Sequence, residues 1–194
     1  MDQRAPGRRE RKKAATRHAI ADAALRLFLA HGFDAVNVRD VAEAADVSTT
    51  TLFKHFSTKE ALLFDEGDER EHALMAAIQE RLEGTSVLQA LLDHVLTTGK
   101  QRALNPRLVE FEALIHSSTA LEDYARRLNL KLETALAEVI AVSCGQPADD
   151  LTSRALAHFA LEAPSLARRT PDPEAAMRQI FALLEHGWSA FLKR

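Results

Sequence analysis

Apolar positions along this chain recur with the 3.6-residue period of helices, and no stretch shows the strict alternation of a half-buried strand. Val38, Val41, Ala42 and Ala45 fall at i, i+3, i+4 and i+7 and form one stripe. Asn37 stands in front of them as a cap, with Asp40 three residues on, the pairing that satisfies open amides at a helix start. Asp46 and Val47 make a turn, and Ser48 caps a second short helix in which Leu52 and Phe56 share a face. Thr50 and Lys54 each lie two positions from Leu52, about 200° around the axis, so they are expected to point away from the core. Thr51 and Phe53 flank them at about 100°, while Thr49 and His55 sit nearer the buried side.

The same period predicts the other elements. A first helix runs from about Arg11 to Ala30, with Ile20, Ala24, Leu27 and Phe28 on one side and Gly32 as its stop. Ser57 to Glu60 reads as a capping box opening a long helix from Thr58 to about Glu83, ended by Gly84. Thr85 and Ser86 cap a helix to Leu104, Asn105 with Pro106 opens one to Ser117, and another spans Ala120 to Ser143. Asp149 caps a helix toward Arg169, which Pro164 is expected to kink or end near Ala163; Asp172 with Pro173 opens the last, to about Leu192. The prediction is an all-α chain of nine helices. Residues 1–57 form an N-terminal arm and a three-helix, helix-turn-helix head, and residues 58–194 form a helical body.

Two short helices joined by a tight turn, the second apolar on one side and bearing hydroxyls and an ammonium on the other, suit the major groove of DNA. Spacing alone leaves an ordinary amphipathic helix pair equally open. Four motifs in order narrow the choice: LF-x3-GF (Leu27, Phe28, Gly32, Phe33), V-x-V-R-D-V-A from Val36, V-S-x-x-T-L-aromatic-x-H-F from Val47, and S-x-K-E-A-L-L from Ser57. Through them the stretch from Arg17 to Leu63, about a quarter of the chain, resembles the N-terminal domain of the TetR family of bacterial repressors. The resemblance implies DNA contacts at Arg39, Thr49, Thr50, Thr51, Phe53, Lys54, His55 and Lys59. Two positions depart from the family pattern. Phe53 replaces the usual Tyr and so lacks a hydroxyl for a phosphate, and Asp46 replaces the usual turn Gly, although Asp tolerates a left-handed backbone better than most residues.

Leu151, Ala155, Leu156, Phe159 and Leu166 on the eighth helix, with Ile180, Phe181, Leu184, Trp188 and Phe191 on the ninth, exceed the apolar surface a single helix needs. A two-fold dimer through a four-helix bundle would cover it, as the resemblance also implies, and plain protomer core is the alternative. A double-stranded DNA operator read as a palindrome fits two heads set about 34 Å apart. The resemblance further implies a small-molecule effector in the body, for which His94, Phe111, His116, Tyr124 and Phe159 are the candidate lining residues. The LFKHF-x-x-KEAL-x-FDE run is similar to that of a branch implicated with acyl-CoA-type ligands, which implies an acyl chain.

Charge divides unevenly along the chain. Residues 1–60 hold 11 Lys and Arg against 8 Asp and Glu, whereas the whole chain holds 25 against 28, so a basic head sits on an acidic remainder and would turn toward a polyanion. Seven of those basic residues lie in residues 1–17, read as an arm that is disordered alone and able to lie along DNA. No run approaches the ~18 apolar residues of a membrane span, and no signal peptide follows the basic N-terminus. A single cysteine, Cys144, excludes an internal disulfide and a cysteine-cluster zinc site, and it is read as inert rather than as a redox sensor. These features fit the cytoplasm. Asp65, Glu66, Asp68, Glu69, Glu71 and His72 crowd one segment, but without metal-ligand spacing they read as a solvated face. With no phosphate-binding glycine motif and no nucleophile elbow, neither catalysis nor a cofactor or metal is expected. The rival from another class is a helical protein-binding adaptor that no longer binds DNA.

Overall fold

The computed structural model describes residues 7–65, 67–103 and 107–187. Among these the chain is helical throughout: α1 (Arg8–His31), α2 (Val38–Ala44), α3 (Thr49–His55), α4 (Gly67–Gln79), α5 (Val87–Ala103), α6 (Arg107–His116), α7 (Thr119–Ser143), α8 (Leu151–Ala167) and α9 (Pro173–His186), with one 3-10 turn at Glu60–Leu62. Two compact units result, one of residues 1–67 with 107–125, the other of residues 68–106 with 126–194.

The first unit is organised around α1. Ile20, Ala24 and Phe28 are buried against Phe33, Val41, Leu52, Phe56, Leu62 and, from α6 and α7, Leu114 and Leu121. Phe28 and Phe33 meet edge to face at 5.1 Å, a favourable arrangement for two quadrupoles. Gly32, at φ 83°, ends α1 as expected. Helix α1 starts at Arg8, three residues before the expected Arg11, so the part of the basic arm from Arg8 on is helical rather than disordered: Glu10 accepts from the Gly7 amide, and Arg17 is tied into the unit. Residues 1–6 of that arm lie outside the described residues.

The long helix expected from Thr58 to Glu83 is broken. Thr58, not Ser57, caps the chain, taking the Ala61 amide at 3.2 Å, and the 3-10 turn follows. Leu62 and Leu63 are both buried and Phe64 packs beside Phe111 and Tyr124, a run of inward side chains that one helical face cannot supply. At its other end α4 stops at Gln79, short of Gly84, because Arg81 folds back to donate to the carbonyls of Ile78 and Thr85 at 2.6 and 3.1 Å.

In the second unit Leu74, Ile78, Leu91, Leu136, Ile140 and Phe181 surround a ladder of small residues on α8, Ala157, Ala160, Ala163 and Ala167. Ser86 caps α5 as expected, and Asp150 rather than Asp149 caps α8 by accepting from the Ser153 amide at 2.7 Å. Helix α8 does not end at Ala163. It continues past Pro164 to Ala167, since Pro removes one hydrogen bond near the C-terminus and faces only the small Ala160 one turn back. Asp172 caps α9 with Pro173 at its first position, but the helix stops at His186 rather than Leu192, because Gly187 turns the backbone to φ 70°. The Asn105 and Pro106 helix start lies outside the described residues.

Candidate nucleic-acid interface

Two seven-residue helices are too short to hold themselves and need caps and packing. Asn37 Oδ1 accepts from the amides of Arg39 and Asp40 at 2.8 and 3.1 Å, and the Asn37 amide donates to Asp40 Oδ2 at 2.9 Å, closing the expected box. Val41 and Ala42 are buried beneath α2. Asp46 takes φ 53° in the turn, the left-handed geometry its side chain tolerates. Ser48 then accepts from the Thr51 amide at 3.1 Å and starts α3.

Leu52 is 0% and Phe56 2% exposed, so α3 is anchored on that side. Thr50 and Lys54 are exposed, and Phe53 is open at 52%. These three lie at i, i+3 and i+4 and form one outward strip of a hydroxyl, a ring and an ammonium. Thr49, Thr51 and His55 are half-buried at its margins, and Arg39 is exposed on α2. Such a strip can donate to base edges and touch a thymine methyl, while the margins reach phosphates.

Two cations turn inward. Lys59 Nζ donates to the Phe33 carbonyl at 2.5 Å and lies 4.2 Å from the centre of the Phe33 ring, so its ammonium tethers the 3-10 turn to the α1–α2 loop rather than standing wholly open. Burial lowers its pKa from the ordinary lysine value, with Asp34 and then Glu60 opposing the shift. Arg17 Nη1 donates to the His55 carbonyl at 2.7 Å, its guanidinium lies 4.4 Å from the Phe56 ring centre, and Nε is 2.5 Å from Asp65 Oδ1. Asp65 is thus a buried partner and not part of a solvated acidic face. Arg17 was not singled out from the sequence, although it stands three residues before Ile20 and so extends the apolar stripe of α1, where a charge calls for a partner. The His55 imidazole is held below its ordinary pKa by burial, then by the charges of Arg17 and Lys13, and its Nδ1 has no hydrogen-bond partner among the described residues.

Residues 20–65 match the profile of the bacterial regulatory proteins, tetR family. Over 159 residues the chain is 32% identical to the HTH-type transcriptional regulator TcmR of Streptomyces glaucescens, a match covering 75% of this chain and 67% of that protein. It is 30% identical over 145 residues to the HTH-type transcriptional repressor KstR of Mycolicibacterium smegmatis, covering 73% and 68% respectively. A TetR-family regulator of Streptomyces coelicolor A3 shares the fold with a TM-score of 0.60 at 21% identity, over 94% of this chain and 97% of that one. The chain belongs to the TetR family. As a TetR-type helix-turn-helix protein it is a DNA-binding regulator of transcription.

The remaining candidate residues of this TetR-family chain fall in separate places. Phe111 and Tyr124 flank Phe64 at 6.0 and 5.3 Å between ring centres. His116 is exposed and pairs with Glu122 at 3.0 Å, which takes it out of any apolar lining. His94, half-buried on α5, and Phe159, 54% exposed on α8, belong to the other unit. An open groove in the first unit, lined among others by Leu25, Leu29, Ala45, Ala113 and Leu114, contains none of the five. Of the expected dimer residues, Leu151, Ala155 and Phe159 lie on one exposed stripe of α8 that continues to Leu166. Phe181 is buried within the protomer's own core, since α9 turns it toward Met177 and the α8 alanines, and Leu184 is half-buried. Trp188 and Phe191 lie outside the described residues. Among the described residues no cluster could hold a metal ion and no helix is long and apolar enough to cross a membrane.

Proposed function

We propose that this TetR-family regulator is a homodimeric repressor that reads a palindromic operator through α3 and leaves it when a small apolar or amphipathic molecule, such as an acyl-CoA-type ligand, binds its body. The observation that carries the reading is the strip of Thr50, Phe53 and Lys54, open to solvent and backed by the fully buried Leu52. Thr50 and Lys54 read base edges, whereas Arg39, Thr49, Thr51, His55 and the remaining donors of Lys59 hold the phosphate backbone. Functionally, residues 1–57 supply recognition, and residues 58–194 supply dimerisation and the effector site. The α8 stripe of Leu151, Ala155, Phe159 and Leu166 supports the dimer, because four apolar side chains on one exposed line are costly to leave in water.

A mobility-shift titration against the DNA upstream of the chain's own gene, run beside sedimentation of the protein alone, tests this reading. A dimer that retards a duplex containing an inverted repeat is expected, and Phe159→Glu is expected to sediment as a monomer and lose the shift. A wild-type chain that is monomeric and retards nothing would favour the adaptor instead.

A further inference from the structure

We propose that Arg17 is a positioning residue for DNA reading, holding the C-terminal end of α3 in place, and that Asp65 holds Arg17. The proposal rests on the assignment of α3 as the reading helix and deepens it. A seven-residue helix leaves its last carbonyls without intrahelical partners, and His55 is the last residue of α3. Its carbonyl accepts from Arg17 Nη1 at 2.7 Å, which also sets a positive charge at the negative end of the helix. The same guanidinium covers the ring of Phe56, the anchor next in sequence. One planar group therefore fixes both the backbone and the side-chain anchor at the end of α3.

Asp65 makes this geometry single-valued. Its side chain is only 11% exposed, and Arg17 Nε is 2.5 Å from Oδ1, while His18 Nδ1 stands 3.9 Å from Oδ2. A carboxylate so far out of water needs its cation, so Arg17 is held against α3 rather than swinging out toward solvent. Three different uses of one side chain, an ion pair to Asp65 along one edge, a hydrogen bond from Nη1 to His55 and a face to Phe56, require a guanidinium; an ammonium offers no plane and no fixed fork. Lys54 lies one residue before His55, so a shift at this end moves an outward group of the reading strip.

A positioning role and a direct phosphate contact differ in their salt dependence. Losing a phosphate contact flattens the slope of log K against log salt by about one unit, whereas misplacing α3 leaves the slope and lowers only sequence-specific affinity. The experiment is a fluorescence-anisotropy titration of the full chain and of Arg17→Lys, Arg17→Ala, Asp65→Asn and the Arg17→Ala/Asp65→Asn double variant. Its probes are the duplex that wild type recovers from a random pool and an unrelated duplex of equal length, over a range of salt. Each single variant is expected to weaken binding to the recovered duplex about ten-fold, with the unrelated duplex and the slope unchanged and the double variant no worse than the worse single one. Circular dichroism at the titration temperature confirms the fold, and Asp65→Asn and Arg17→Lys carry the test if Arg17→Ala does not fold. Full specific affinity in the folded variants would overturn the proposal, as would a slope reduced by one unit in Arg17→Ala alongside a neutral Asp65→Asn. If wild type recovers no sequence, the α3 reading itself fails and this proposal with it; indifferent variants beside a selective wild type sink only the proposal.

Discussion

The two units of this chain use their inward cations over different distances. In the unit built on α1, α2 and α3, Arg17 and Lys59 turn inward, donate to main-chain carbonyls and lie over the rings of Phe56 and Phe33. In the unit built on α4, α5, α8 and α9, Arg81 donates to main-chain carbonyls only three and four residues away, Glu174 with Lys100 and Arg178, and His158 with Glu133, pair on the outside, and leucines, isoleucines, Met177 and Phe181 pack on a ladder of alanines. Helix length explains the difference. Helices of 17 and 14 residues, such as α8 and α9, bury enough apolar surface to fix their own geometry, whereas the seven-residue α2 and α3 need caps and ionic tethers. The long-range ties to main-chain carbonyls, from Arg17 and Lys59, therefore stand where a short helix must be held at a fixed angle for reading DNA.

The comparison breaks most readily at its aromatic anchors. Phe56→Ala is expected to cost about 3–5 kcal/mol by leaving a cavity under α3 and removing the surface on which Arg17 rests. The reverse change in the body, Ala157→Leu, overpacks the α8 ladder and is expected to cost about 1–3 kcal/mol. Urea denaturation followed by circular dichroism checks both, and DNA binding should be lost only in the first. Next in size are the tethers. Lys59→Met strands the Phe33 carbonyl and is expected to cost about 1–3 kcal/mol, with a salt slope of DNA binding lower by about one unit. Glu174→Gln, which breaks an exposed pair, should leave the melting temperature within experimental scatter.

The smallest effect is in pH. His55 is lowered by burial, Arg17 and Lys13, and His94 by burial and Arg70. The unfolded chain binds those protons more readily, so their contribution to stability is present above about pH 6.5 and fades as pH falls toward the folded values. His158, raised by its hydrogen bond to Glu133, has the opposite sign: its contribution is present below about pH 6.5 and is lost as pH rises through the folded value. Melting curves between pH 5 and 8 should show His55→Asn and His94→Asn reducing the acid-side loss and His158→Asn reducing the alkaline-side loss.

The head was legible in the sequence because its information is local. Caps at Asn37 and Ser48, the turn at Asp46 and the Leu52–Phe56 face are all set by residues within a few positions of each other. Tethers were less legible: the place of Arg17 on the apolar stripe of α1 calls for a partner, but nothing local says that it lies 38 residues away at His55, or that Lys59 reaches 26 residues back to Phe33. The break between Thr58 and α4 was hidden for a related reason. Leu62, Leu63 and Phe64 read as a helical run until the core claims all three. The effector residues were the least legible, because aromatics and histidines at helical spacing serve core and surface equally, and the structure gathers only Phe111 and Tyr124, around Phe64.

The central claim is that Thr50 and Lys54 face DNA bases because Leu52 and Phe56 hold the other side of α3. Selection from a random duplex pool by wild type, Thr50→Ala and Lys54→Ala tests it most directly. The account predicts an inverted repeat for wild type and, for each variant, relaxed preference at one or two symmetric positions, a discrimination of about 1–3 kcal/mol per base pair lost. Recovery of the same consensus at the same strength by all three proteins would contradict it.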